Sequence, residues 1–282
     1  MRNDEYARCH SFFDRAPLLM VHLRRVVWML FLGILLAAAS APPAFAIAPS
    51  DSTELDRALA QVDRMRADGQ FDQALTTLQA LRDQHGDQVG ILWRAAFTQV
   101  DRGKAAGAKN VAQPYYKEAV ALADTALAVD STSAHAHLVK AVAEGRLALD
   151  AGTKERVRRS RKIKHHADRA IELDPKLPGA FHVRGRWNRE VSDLNFFERT
   201  VVKAVYGGLP ESSFEQAVED FKTAISLEDV RFHHLELAKT YLKMDREAEA
   251  REQLQIVLDL PKKELFGDRY EEEARALLKE LE

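Results

Sequence analysis

The chain has 282 residues, of which 46% are hydrophobic and 30% charged, with a formal net charge of -2. That balance is globular and gives no basic excess of the kind nucleic-acid binders carry. The length suits one large domain or two ordinary ones, or a repeat array in which each unit touches only its neighbours.

The N-terminus reads as an address. Arg24 and Arg25 precede an apolar run from Val26 to Ala39, followed by Pro42, Pro43 and the Ala44-Phe45-Ala46 ending. A basic region, a short apolar region and an A-x-A site describe a secretory signal over residues 1–46, with Met20 as an alternative start. The run is shorter than the roughly 20 residues that cross a bilayer. The expected location is therefore the periplasm, with an uncleaved N-terminal membrane anchor as the alternative. Cleavage after Ala46 would remove the single cysteine, Cys9, and leave a net charge of -4.

Residues 47–51 form a polar leader, and a helical domain is expected over 52–281. Ser52 or Thr53 suits an N-cap, and Leu55, Ala58, Val62 and Met65 recur at helical spacing. Gly69-Gln70 breaks this helix before Phe71, Ala74, Leu78 and Leu81 begin another. Further on, one helix ending recurs: Ala126 to Asp130, Ala170 to Asp174 with Pro175, Ala224 to Glu228, and loosely Val257 to Pro261. Self-similarity on this scale marks a helical repeat array. Its register is that of tetratricopeptide repeats (TPRs), with Ala217, Phe221 and Ala224, then Ala250, Leu254 and Val257, on second helices, and Leu237, Ala238 and Tyr241 on a first helix.

The period is uneven. Leu81 to Ala126 is 45 residues, Ala126 to Ala170 is 44, Ala170 to Ala224 is 54, and Ala224 to Val257 is 33. The largest excess lies between Val191 and Glu211, where Phe196, Phe197, Val201, Val202, Val205 and Tyr206 predict an extra short helix ended by Gly207-Gly208. Tyr270 to Leu281 predicts a capping helix. The fold class is all-α: a right-handed TPR-like solenoid of four to five helix pairs, with a short helix inserted in the fourth unit and a C-terminal cap.

The run Gly185-Arg186-Trp187-Asn188-Arg189-Glu190-Val191, then Glu198-Arg199, then Tyr206-Gly207-Gly208-Leu209-Pro210 before Phe214 and Ala217, resembles the interrupted TPR unit of the regulator of microtubule dynamics family. Leu92-Trp93-Arg94 resembles that family's second unit, and Leu237 to Leu242 its last; the resemblance spans about 52–281. It implies an interaction protein. Eukaryotic members are linked to microtubules, and one branch tethers two organelle membranes and holds phospholipid in its TPR domain.

Three sets of residues are candidates for binding. Inner helices of a solenoid line its concave side, so Trp93 with Arg94, and Arg184 and Arg186 with Trp187, are expected to grip a protein segment or a phosphate; both tryptophans equally suit the helix interior. Lys154, Arg158, Arg161 and Lys162 form a basic helix face, either simply solvated or in contact with an anionic membrane surface or acidic protein. Phe196, Phe197 and Val201 would wall an apolar lipid tunnel.

Histidines fall in close pairs (His135/His137, His165/His166, His233/His234), at spacings that do not put two ligands on one helix face. Surface or partly packed histidines are expected, with no metal. No phosphate loop, nucleophile elbow or zinc motif occurs, so no cofactor and no catalysis are expected. The leading function is a non-catalytic scaffold binding an unidentified protein segment in its concave groove. The alternatives are a phospholipid carrier and, by family resemblance, a microtubule-associated role. Nucleic acid is excluded as a partner.

Overall fold

The computed structural model describes residues 51–282, so the expected signal segment, its cleavage site and Cys9 lie outside the described residues. The described chain is built of helices: α1 (Asp51–Ala67), α2 (Phe71–His85), α3 (Val89–Ala106), α4 (Lys109–Val129), α5 (Ala134–Ala148), α6 (Thr153–Leu173), α7 (Pro178–Ser192), α8 (Phe196–Tyr206), α9 (Phe214–Leu227), α10 (Arg231–Lys243), α11 (Glu247–Asp259) and α12 (Gly267–Glu280). No described helix is long and apolar enough to cross a membrane.

Five antiparallel pairs stack in order: α1/α2, α3/α4, α5/α6, α7/α9 and α10/α11. Helices α1, α3, α5, α7, α10 and α12 pack successively as an inner row, and α2, α4, α6, α9 and α11 form the outer row. This is the expected TPR-like solenoid with its C-terminal cap. Close packing within the pairs rests on alanines that are fully buried, among them Ala74, Ala96, Ala119, Ala123, Ala167, Ala217 and Ala250. A side chain of one carbon lets two helix backbones approach without leaving a void.

The recurring helix ending has one structural meaning. The backbone N–H of Asp130, Asp174 and Glu228 donates to Ala126, Ala170 and Ala224 respectively, while each acidic residue adopts an extended φ of -144°, -141° or -151°. The chain thus completes one last helical bond and leaves at once. Asp130 Oδ1 then accepts from the Thr132 N–H (2.8 Å), and Asp174 Oδ1 from the Lys176 N–H (2.9 Å). Such side-chain turns are why an acidic residue, and Asp above all, stands at the stop. The turn between α1 and α2 instead uses Gly69 at φ +75°, a conformation strained for other residues.

The uneven period follows from helix length. The last pair, α10/α11, has 13 residues per helix, whereas α3 and α4 have 18 and 21, and α6 has 21. The widest gap contains α8, an 11-residue helix with a capping box in which Asn195 and Glu198 satisfy each other's backbone N–H.

The two ends of the solenoid meet. Arg269 Nη1 of α12 donates to the Lys104 carbonyl of α3 at 3.0 Å, and the Lys104 ammonium lies 4.1 Å from the centre of the Phe266 ring. Leu265 also reaches Gly69, where an added Cβ would stand 3.3 Å from Leu265 Cδ1. The inner row therefore curls round until its last helix touches its first units, and the concave face becomes a basin.

Candidate functional site: a cationic basin on the inner row

The basin is built from a repeated dipeptide. Each of four inner helices carries a small residue followed by a cation: Gly103-Lys104 in α3, Gly145-Arg146 in α5, Gly185-Arg186 in α7 and Ala238-Lys239 in α10. At Gly103 and Gly185 the small residue lies where a neighbouring helix crosses. A Cβ on Gly103 would stand 2.9 Å from Cδ1 and Cζ of Tyr116 in α4, and one on Gly185 would stand 3.1 Å from the Phe221 ring in α9. The next side chain is rotated by about 100° around the helix, away from that crossing and into the basin.

Acidic partners neutralise these cations unevenly. Glu236 of α10 receives Arg189 at 2.6 Å, Lys239 at 3.1 Å and, more distantly, Arg186 at 3.4 Å. Burial opposes ionisation of Glu236, but Arg186, Arg189 and Lys239 outweigh it and hold the carboxyl well below the usual carboxylate range. Lys239 is also paired with Glu273 of α12. At the other end, Arg66 binds Asp101 at 2.8 Å.

Lys104 and Arg146 stand between these clusters without a carboxylate. Among the described residues the Arg146 side chain makes no hydrogen bond or ion pair, and the Lys104 ammonium touches only the Phe266 ring. Burial, with Arg146, Arg186 and Arg66 nearby, pushes the Lys104 ammonium down to about 8 against the pull of Asp101. Burial and Arg186 likewise lower Arg146. Tyr270 of α12 shares the basin, and its phenol is pushed up to about 12 by burial, so it stays a neutral hydroxyl. Two poorly compensated cations with a third, Arg186, beside them and a phenol within the same basin form an anion-binding arrangement.

Of the groove residues expected from sequence, Arg186 alone contributes to this cluster. Trp187 is 4% exposed, and its Nε1 donates to the Ser160 carbonyl and hydroxyl of α6, both at 2.8 Å, so it is an interhelix residue. Arg184 turns to the outer helix, where Nη2 meets Asp220 of α9 at 2.6 Å. Arg94 Nε bridges both oxygens of Asp63 in α1 at 2.9 and 3.0 Å, with its guanidinium 4.1 Å from the Trp93 ring, while Trp93 stacks on His135. Arg94 and Trp93 thus tie α1, α3 and α5 together.

The basic face of α6 is divided among several tasks. Arg158 pairs with Glu155, Lys162 with the fully buried Glu144, and Arg161 with the carbonyls of Tyr206 and Gly208 at the end of α8, while Lys154 is exposed. Phe196 and Phe197 correct the tunnel expectation. They are 85% and 75% exposed on the outside of α8, and with Val201 only partly covered they enclose nothing.

Most described histidines are partly packed or exposed, as expected, but His137, His233 and His234 are buried. His137 Nδ1 meets His166 Nδ1 and His182 Nδ1 meets His233 Nδ1, each at 2.9 Å across two helices. Among the described residues no group of three or more His, Cys, Asp or Glu is arranged to hold a metal.

Lys104 and Arg146 have no tryptophan neighbour in sequence to mark them as groove residues. The available signal was the Gly-cation dipeptide recurring at 103, 145 and 185, about one unit apart.

Comparison with solved structures supports the architecture: a thermophilic TPR protein of Thermus thermophilus matches with a TM-score of 0.56 at 22% identity, covering 77% of this chain and 97% of its own. Mouse regulator of microtubule dynamics protein 3 is 27% identical over 231 residues, covering 79% of this chain and 49% of its own. Bovine regulator of microtubule dynamics protein 1 is 28% identical over 195 residues, covering 68% and 61%. The chain thus spans about half to three-fifths of the length of these relatives. Residues 58–282 match the family model described as regulator of microtubule dynamics protein 1-3, and the chain belongs to that family.

Proposed function

We propose that this protein is a non-catalytic binding scaffold whose inner basin holds an anionic segment of a partner protein. The observation that carries this reading is the pair Lys104 and Arg146, cations held in the basin without a carboxylate partner among the described residues. A carboxylate or phosphate entering there would relieve the mutual repulsion of Lys104, Arg146 and Arg186 and complete their hydrogen bonding. TPR-like folds offer such an inner surface without providing chemistry by themselves.

The test is capture of a partner from cell-envelope extract by wild-type protein and by Arg146→Glu, with circular dichroism to verify folding. The expected result is a protein enriched by the wild type, released by moderate salt and lost with Arg146→Glu. Equal capture by both proteins would reject the basin as the binding surface.

A phospholipid head group is the second reading, favoured by the neutral Tyr270 hydroxyl and by Phe232, whose ring lies 6.1 Å from that of Tyr270. Native mass spectrometry separates the two, since a carried lipid adds a defined mass that Arg146→Glu would remove. A microtubule-associated role, suggested by the family name, would appear as co-sedimentation with polymerised tubulin. Export to the periplasm belongs to the same proposal and rests on residues 24–46. N-terminal sequencing of the envelope-associated protein should begin at Ile47; a start upstream of Arg24 would favour the uncleaved anchor.

A further inference from the structure

Helix α8 is amphipathic in the wrong sense for a packed helix. At about 100° per residue, Phe196, Phe197, Thr200, Val201, Ala204 and Val205 share one side, and Arg199, Val202 and Tyr206 the other. The apolar side faces out. Phe196, Phe197 and Val205 are 85%, 75% and 64% exposed, whereas Val202 is 7% exposed.

Polar contacts fix this orientation. Arg199 donates to the carbonyls of Leu194 (2.9 Å), Val191 (3.1 Å) and Ser192 (2.7 Å). Arg161 of α6 reaches from below to the Tyr206 and Gly208 carbonyls, which would otherwise lack partners at the helix end. Rotating α8 to bury its phenylalanines would break all of these bonds. The exposed stripe is therefore held outward by the body of the protein.

The surroundings are predominantly cationic. Over residues 154–162, α6 holds six Lys or Arg and one acid, Glu155. Arg159 and Lys162 neutralise buried Glu144 and Arg158 pairs with Glu155, which leaves Lys154 and Arg156 free of carboxylates. Lys203 on α8 is exposed and makes no ion pair among the described residues. The α8 acid Glu198 is occupied in the capping box, and nearby Asp193 and Glu190 pair with Lys243 and Arg189. Glu211 is the acidic exception close by, exposed on the loop after α8.

We infer that α8 and the N-terminal half of α6 form a docking surface for an anionic lipid bilayer, with Phe196 and Phe197 entering the head-group region and Lys154, Arg156 and Lys203 contacting lipid phosphates. The two exposed phenylalanines stand on a helix packed against the basic α6, a combination of apolar stripe and cations like that of helices that lie in a membrane interface. A second copy of the chain is disfavoured as the occupant, because a twofold interface would bring each basic α6 against its own copy. The surface lies outside the basin, so it stands or falls separately from the proposed scaffold function.

The test is co-sedimentation of residues 47–282 with vesicles of phosphatidylglycerol and phosphatidylcholine, and with vesicles of phosphatidylcholine alone. Binding to the anionic vesicles is expected for the wild type, weakened at least tenfold in Phe196→Ser/Phe197→Ser and several-fold in Lys154→Glu/Lys203→Glu. Because these four side chains are exposed, unchanged thermal unfolding should accompany the loss. Phe197→Trp should shift its fluorescence to the blue on anionic vesicles only. Equal binding by wild type and the double-serine variant would overturn the inference. So would a wild-type dimer, seen by light scattering, that the double-serine variant abolishes, since a second copy would then occupy the stripe.

Discussion

Arg269 at the start of α12 donates to the backbone carbonyl of Lys104 at the end of α3, 165 residues earlier in the chain. Phe266 reinforces the junction by lying against both cations, with the Lys104 ammonium at 4.1 Å and the Arg269 guanidinium at 5.2 Å from its ring centre. Each cation–π contact is worth about 0.5–2 kcal/mol and the hydrogen bond about 1 kcal/mol. The closure is thus weak beside the stacked helices, but it links the two ends of the inner row across the basin. Phe266→Ala/Arg269→Ala should lower the unfolding temperature by only several degrees while raising the radius of gyration in small-angle X-ray scattering. Superimposable scattering curves would show that helix packing alone sets the curvature.

Asp220 supports a different layer. It is 1% exposed and accepts from Arg184 (2.6 Å), Asn188 (3.0 Å) and Gln216 (3.3 Å), joining α7 to α9. Removing its carboxylate leaves the Asn188 amide without that acceptor and Arg184 with only the longer pair to Asp168 at 3.6 Å, which costs about 3 kcal/mol. Asp220→Ala should therefore lower the urea midpoint strongly, and Arg184→Ala should lower it less, because Asn188 and Gln216 still donate to the carboxylate. If Arg184→Ala proves neutral for stability, the ion pair does not hold the interrupted unit together.

The contrast between Arg184 and Arg186 shows how far the sequence could be read. Helix ends are local: the Ala-to-Asp endings, the Gly69 turn and the α8 insertion follow from propensity and chain geometry within a few residues, and the structure reproduces them. Which way an arginine points is not local. Two positions along a helix rotate a side chain by about 200°, enough to separate an interhelix ion pair at Arg184 from a basin cation at Arg186. The α8 pattern likewise predicts a stripe but not the direction it faces, which is decided by Arg161 from a helix 45 residues away. Closure by Arg269 joins segments still farther apart and has no signature in either one.

Gly103 tests the close approach that places the basin cations. An alanine there would drive its Cβ into the Tyr116 ring, which is 8% exposed and packed with Ala112 and Leu147. Overpacking of this kind costs about 1–3 kcal/mol, against a gain of about 1 kcal/mol in helix propensity. Gly103→Ala should be destabilising, and Gly103→Ala/Tyr116→Leu should recover much of the loss because the smaller side chain vacates the ring's space. If Gly103→Ala alone raises stability, propensity outweighs packing and α3 does not depend on this contact.

The histidine pairs make stability depend on pH in a defined window. His137 Nε2 lies 3.1 Å from the Ser131 carbonyl and must donate to it, so in the neutral ring its Nδ1 accepts from the Nδ1–H of His166. Protonating both rings would set two N–H groups against each other. Burial, followed by His137 and His165, lowers His166 to about 4; burial and His234 lower His233 to about 3; and burial with His233 lowers His182 well below its ordinary value. Each folded-state value lies below the unfolded value of about 6.5, so the unfolded chain binds more protons in between. The stability these neutral rings contribute is complete above about pH 6.5 and declines as pH falls toward 4. Each such histidine adds up to about 1.4 kcal/mol per pH unit to the slope, and the His233 shift amounts to a few kcal/mol in all, to order of magnitude. Urea titrations from pH 7.5 to 4 should show this decline, and His233→Asn should reduce its slope by up to one proton's worth. A slope unchanged in His233→Asn would mean that His233 is not the group taking up the proton, and that the acid sensitivity arises elsewhere.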